Sequence, residues 1–207
     1  MRRRPSQESG YRAVVHVSGI GADAASRSLY IRQRGEGELA VRAEFPKAVL
    51  IRPAVTFGPD DAFLTTVLKL LRRLPVYPMF GGGITRLQPV YVEDVAEAVA
   101  RSLLRADAGA MTFECGGPRV YTYAEFLRLV AREAGLKPML VPFPFAAWHA
   151  LAGLSELLPK PPITGNQIEP MQIDTIASPE KPGLVELGIS PHAVEEILQQ
   201  IVGGRRS

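Results

Sequence analysis

Three side chains near the start of the chain could together move a proton. Ser18 closes the apolar run A-V-V-H-V-S, Tyr30 follows, and Arg34 stands four residues after Tyr30. Residues four apart share a helix face, so a helix through this stretch sets a guanidinium beside the phenol. A phenol ordinarily titrates near 10 and is a poor base at neutral pH unless a nearby cation favours its ionised form. In that arrangement the serine hydroxyl holds a carbonyl oxygen while the tyrosine passes the proton during hydride transfer. A guanidinium keeps its proton, so Arg34 supplies charge without joining a relay.

The neighbouring elements must position this set. Residues 13–18 are rich in valine, as in a strand buried on both faces, and Gly19 and Gly21 let the backbone turn. Good helix formers fill Leu29 to Phe45, although Gly35 and Gly37 each cost roughly 1 kcal/mol relative to alanine, which packing must offset. A second apolar strand spans Ala48 to Arg52, and Gly58-Pro59 marks the turn beyond it.

Asp60 or Asp61 can cap the next helix, in which Phe63, Leu64, Val67, Leu68, Leu71 and Leu74 keep helical spacing. Its basic face, Lys69, Arg72 and Arg73, reads as solvated. Pro75 to Gly83 reads as a loop ending in a surface turn of three glycines, and Leu87 to Val92 as a strand. Glu93 and Asp94 suit the positive end of the helix that follows. Met111 to Cys115 is a third strand, and Thr122 with Glu125 forms a capping box for a helix running to Ala134.

After an extended Met139 to Val141, a helix from Phe145 to Leu158 is apolar nearly all round, so it faces a core, a partner or a bilayer surface. Pro159 to Pro162 is a stiff linker, Gly165 to Ile176 holds one or two helical turns, and Ser190-Pro191 opens the last helix. Strands alternating with helices give a parallel α/β architecture, with a mostly helical region after Gly116.

Composition removes several classes of function. The first twelve residues hold four arginines and one glutamate, leaving 20 of the 24 cations and 20 of the 21 anions for the rest, a neutral body with no nucleic-acid footprint. Cys115 is the single cysteine; it can form no intrachain disulfide, fits a reducing compartment such as the cytoplasm, and leaves no zinc pattern, so no metal site is expected. His16, His149 and His192 are isolated from one another and read as packed or surface residues.

The Ser18, Tyr30, Arg34 pattern resembles the short-chain dehydrogenase/reductase superfamily, extended or atypical branch, whose signature is Ser followed by Tyr-x-x-x-Lys. Longer blocks narrow the likeness: H-V-S-G-I-G-A-D, R-P-A-V-T-F-G-P-D-D-A-F, Q-P-V-Y-V-E-D-V-A-E-A-V, F-E-C-G-G-P-R-V-Y-T-Y-A-E-F and P-F-P-F-A. In this order they resemble the NAD(P)-binding accessory subunit family of respiratory complex I (NADH:ubiquinone oxidoreductase) and its bacterial relatives.

The resemblance implies the C-terminal part of a Rossmann-like doubly wound parallel sheet over residues 13–118. A mostly helical C-terminal lobe over 119–207 and a flexible basic tail over 1–12 complete the expected layout. Ser18 and Tyr30 would occupy catalytic or vestigial positions, Arg34 would stand in the lysine's place, and Pro53, Ala54 and Val55 would lie beside the nicotinamide. It also implies NADP (as NADPH) or NAD as a structural cofactor, and complex I subunits or the membrane surface as partners. In a eukaryote the location would be the matrix side of the mitochondrial membrane.

No G-x-x-G-x-x-G or G-x-G-x-x-G follows a strand in the 207 residues, and the acidic ribose partner is missing with it. In the family that half precedes the V-V-H-V-S strand. The expectation is therefore a fragment of a longer protein, with weak or absent cofactor affinity in this chain and residues 13–18 at an open sheet edge. Two other functions stay open: an active NAD(P)-dependent reductase or epimerase of the extended type, and a cofactor-free interaction module.

Overall fold

The computed structural model describes residues 13–59, 61–105, 109–155 and 168–203. The expected tail over 1–12, the cap candidate Asp60, the end of the apolar helix at 156–158, the linker Pro159 to Pro162 and residues 165–167 lie outside the described residues. Among the described residues, strands β1 (Val15–Val17), β2 (Val49–Pro53) and β7 (Thr112–Cys115) form a parallel sheet in the order β1-β2-β7. The register sets His16 beside Leu50 and Ile51 beside Phe113. This is the parallel α/β fold that the strand and helix alternation requires. As expected, β1 stands at the sheet's edge, with Val17 half exposed.

Helix α1 (Leu29–Glu44) joins β1 to β2, capped by the Ser28 hydroxyl accepting from the Ile31 N–H at 3.2 Å. Gly35 is tolerated in mid-helix because the backbone of the preceding loop rests on it. A Cβ there would come within 2.1 Å of the Ala24 nitrogen. Helix α3 (Val92–Leu104) covers the sheet, and Val95 and Ala98 join Ile51, Phe113 and Cys115 in one apolar cluster. Burial and the adjacent Glu114 charge push the Cys115 thiol up to about 12, so it is an inert core residue.

A second cluster draws on both sides of residue 118. Helices α2 (Ala62–Arg73), α4 (Tyr123–Glu133) and α6 (Val194–Gly203) pack Leu64, Leu68, Phe126, Leu127, Val130 and Leu198 together. The Asp61 carboxylate caps α2 by accepting from the Phe63 and Leu64 N–H groups, and the Thr122 capping box opens α4 as its sequence requires. Within this core the Tyr77 and Tyr123 hydroxyls satisfy each other at 3.0 Å.

Four local expectations are corrected. Val76–Phe80 is strand β4 rather than loop, pairing in parallel with β9 (Met139–Phe143), because Tyr77 and Met79 find core contacts that the local prolines do not predict. The Gly81 to Gly83 turn is packed rather than superficial: with Gly81 and Gly83 at φ of 56° and 70°, it lies against Phe145 and Ala124. Residues 86–91 form two short pieces, β5 (Arg86–Leu87) and β6 (Val90–Tyr91), and Val92 already belongs to α3. The last helix starts at Val194, one turn after Ser190-Pro191, because Asp94 binds both the N–H and the ring of His192 in a non-helical segment.

Helix α5 (Phe145–Ser155) presents Leu151 and Leu154 to solvent while Trp148 donates to the Met79 carbonyl at 3.2 Å. No described helix is long and apolar enough to cross a membrane.

Candidate functional site

A cleft of about 250 Å³ opens at the carboxyl ends of β1 and β2, where an open parallel sheet offers a ligand its crevice. The Ser18 N–H donates to the Ile51 carbonyl at 2.8 Å and the Ile20 N–H to the Pro53 carbonyl at 3.0 Å, carrying the chain from β1 along the β2 end. Helix α1 then starts over this junction. Tyr30, Arg34, Pro53, Ala54 and Val55 all line the cleft.

The guanidinium carbon of Arg34 lies 4.4 Å from the centroid of the Tyr30 ring, over its face rather than at its hydroxyl. Arg34 fits there because residue 19 is glycine: a Cβ on Gly19 would fall 1.5 Å from the Arg34 Nη1. Tyr30 is 37% exposed, open to whatever enters the cleft.

Ser18 does not line this cleft. Its hydroxyl is buried beside the Glu38 carboxylate, close enough to help keep that group charged but without the geometry of a full hydrogen bond. It belongs to a charged network beneath the cleft. Arg52 on β2 donates to Glu38 on α1 at 2.6 and 2.8 Å, to Glu114 on β7 at 3.4 Å, and to the Ala22 carbonyl at 3.2 Å. Lys181 reaches Glu114 at 2.8 Å. Burial pushes the Glu38 and Glu114 carboxyls upward, but their bonds to Arg52 and Lys181 outweigh it and hold both below the usual carboxylate range.

Sequence reasoning missed the opposite wall. Met171, Ile173 and Thr175 close the cleft, from a segment with no clear periodicity. The Thr85 hydroxyl donates to the Met171 carbonyl at 2.7 Å and Arg86 pairs with Asp174 at 2.7 Å, which pins this segment in place. The Thr175 hydroxyl is buried without a partner at the cleft's edge. Nothing local marks these residues; only contacts some 85 residues apart in sequence assign them to the wall.

No family model matches the chain. It is 31% identical to "NADH dehydrogenase (ubiquinone) 1 alpha subcomplex subunit 9, mitochondrial" of Arabidopsis thaliana, over 96% of this chain and 53% of that protein. The mouse protein of the same name is also 31% identical, over 92% of this chain and 51% of its own length. This chain is homologous to those complex I accessory subunits. It spans about half the length of the curated relatives it matches.

A shorter match reaches a ceramide reductase of Caulobacter vibrioides, 30% identical over 67% of this chain and 43% of that protein. Among solved structures, a nucleoside-diphosphate-sugar epimerase of Staphylococcus aureus superposes with a TM-score of 0.68 at 13% identity, covering 94% of this chain and 67% of that one. The UDP-glucose 4-epimerase of Thermus thermophilus, solved with NAD, gives 0.61 at 19%, covering 93% and 63%. At such identities the likeness establishes the fold alone, which is Rossmann-type.

Proposed function

We propose that this chain supplies the nicotinamide side of a dinucleotide-binding protein of the complex I accessory type, holding NADPH or NAD as a structural ligand with little or no turnover. One observation carries the proposal: Tyr30 and Arg34 of α1, Pro53 at the end of β2, and Ala54 and Val55 of the loop after it line a single cleft at the carboxyl ends of β1 and β2. A cleft of about 250 Å³ suits a nicotinamide ring and its ribose rather than a whole dinucleotide. No glycine-rich phosphate loop occurs in the 207 residues, so affinity in this chain alone is weak.

Low turnover follows from the placement of the polar groups. Arg34 stacks on the phenol and cannot release a proton, and Ser18 faces Glu38 instead of the cleft. The partners under this reading are other complex I subunits, as in the curated relatives, on the matrix side of the mitochondrial membrane in a eukaryote and on the cytoplasmic side in a bacterium.

Thermal unfolding of the chain with increasing NADPH or NAD tests the binding. A ligand of the folded state raises the melting temperature with concentration, and Val55→Trp, which fills the cleft, abolishes the rise. In this chain alone little or no rise is expected; no rise at millimolar dinucleotide when the chain is joined to the glycine-rich half that this reading expects before it would sink the cofactor reading and leave the interaction module.

The ceramide reductase relative, together with a tyrosine open to the cleft, favours active reduction of a carbonyl as the second reading. It requires NADPH oxidation with ceramide-type carbonyl or quinone acceptors, lost in Tyr30→Phe.

A further inference from the structure

Among the described residues no carboxylate forms an ion pair with Arg34, and the nearby acids of α1 are engaged with other cations. Glu36 pairs with Arg32 at 3.8 Å, and Glu38 is held by Arg52 at 2.6 Å. Asp61, the acidic residue of the described cleft wall, accepts from the Phe63 and Leu64 N–H groups, where the positive end of α2 offsets its charge. What Arg34 meets instead is the Tyr30 ring, 4.4 Å away. An aromatic face attracts a cation through its quadrupole but carries no formal charge, so the guanidinium brings its full positive charge to the cleft.

That charge tells the two states of a nicotinamide apart. The oxidised ring carries a formal positive charge and becomes neutral on gaining a hydride, so a cation beside it acts on one state and spares the other. A guanidinium cannot lose its proton in a protein, so the effect is permanent. Ile20, Ile31, Phe63, Met171 and Ile173, which line the same cleft, supply no anion to balance a pyridinium.

We propose that Arg34 makes the cleft select the reduced dinucleotide, repelling the cationic ring of NAD+ or NADP+ while accepting the neutral ring of NADH or NADPH. The proposal rests on the dinucleotide reading and adds a redox state to it. Two unit charges several ångströms apart at the boundary of protein and water repel by an amount worth on the order of tenfold in affinity. Binding the reduced form tenfold tighter raises the potential of the bound two-electron couple by about 30 mV. The bound ring is then a poorer hydride donor, which suits a ligand kept for structure.

The ratio of the dissociation constants for oxidised and reduced nucleotide tests this, because damage common to both forms cancels in it. Oxidised and reduced nicotinamide mononucleotide, which require only the nicotinamide side, are titrated against this chain by ligand-observed NMR. NADP+ and NADPH are titrated by calorimetry against the chain joined to the glycine-rich half that the dinucleotide reading expects before it. This second ratio decides where the mononucleotides bind too weakly to titrate.

The reduced form is expected to bind about tenfold tighter or more. Arg34→Met, which keeps an unbranched stem and removes the charge, lowers the ratio about tenfold, as does Arg34→Gln, whereas Arg34→Lys keeps it within about threefold. Arg27→Gln, an exposed cation outside the cleft lining, leaves it within about twofold. A ratio that Arg34→Met and Arg34→Gln leave unchanged, or equal binding of the two forms by the parent, overturns the proposal while the dinucleotide reading stands. Binding of neither form by the joined protein defeats the dinucleotide reading, and the proposal with it.

Discussion

Arg34 lies across the face of the Tyr30 ring, its guanidinium carbon 4.4 Å from the ring centroid, in space that exists because Gly19 has no side chain. One turn of α1 brings the two residues together, but the strand-to-loop junction decides where on the ring the cation rests. Gly19→Ala is expected to push the guanidinium aside and cost about 0.5–1 kcal/mol, a cation–π contact's worth. In an Arg34→Ala background the same change should cost nearly nothing, a coupling that a double-mutant cycle of urea midpoints measures.

Gly35→Ala reverses the rule for an alanine in mid-helix. Propensity favours alanine by about 1 kcal/mol, but the new Cβ meets the backbone of Asp23 and Ala24 within 2.4 Å, and backbone cannot swing away as a side chain can. A net loss of about 1–3 kcal/mol in urea unfolding is expected.

Arg52 holds two nearly buried carboxylates on either side of its strand. Arg52→Ala leaves Glu38 uncompensated and should cost about 3–5 kcal/mol, whereas Arg52→Met with Glu38→Met together should recover most of it. Because Glu38 and Glu114 titrate lower in the folded protein than their ordinary 4.5, their contribution is complete above that value. It is lost as pH falls through the folded values. The urea midpoint should therefore drop on acidification below about 4.5, less steeply in the Met–Met variant.

His192 fastens the segment before α6 to the first turn of α3. Its ring Nδ1 lies 2.6 Å from the buried Asp94 carboxylate, which also accepts the His192 N–H at 2.9 Å. The bond and charge of Asp94, with smaller contributions from Glu196 and Glu97, raise the imidazole above its ordinary 6.5, and the Tyr91 ring meets it edge-on. A raised folded value means this stabilisation is complete below 6.5 and fades as pH rises through the folded value. Melting temperatures are expected to fall across that interval. Asp94→Asn should flatten the slope, and the His192 ring resonances followed by NMR should titrate near the ordinary value in the variant.

Much of the frame was legible in order along the chain. The valine-rich strand ending at Ser18, the helix carrying Tyr30 and Arg34, the capping box at Thr122 and the apolar spacing of α2 all rest on neighbours within a few residues, which periodicity and capping rules read directly. Strand β4 was not legible, since Pro75 and Pro78 speak locally for a loop while pairing with residues 139–143 decides otherwise. The far wall of the cleft and the Arg52 network were hidden for the same reason.

Residue order by itself thus determined the α/β alternation, the likeness to the complex I accessory subunits and the pairing of a tyrosine with a cation on one helix face, because each depends on short-range spacing. Tertiary structure alone decided that Ser18 turns to Glu38 while Tyr30 opens to the cleft, and that residues 171–175 close it. Those outcomes depend on where distant backbones pack and which buried charges must be neutralised, and no local pattern encodes either.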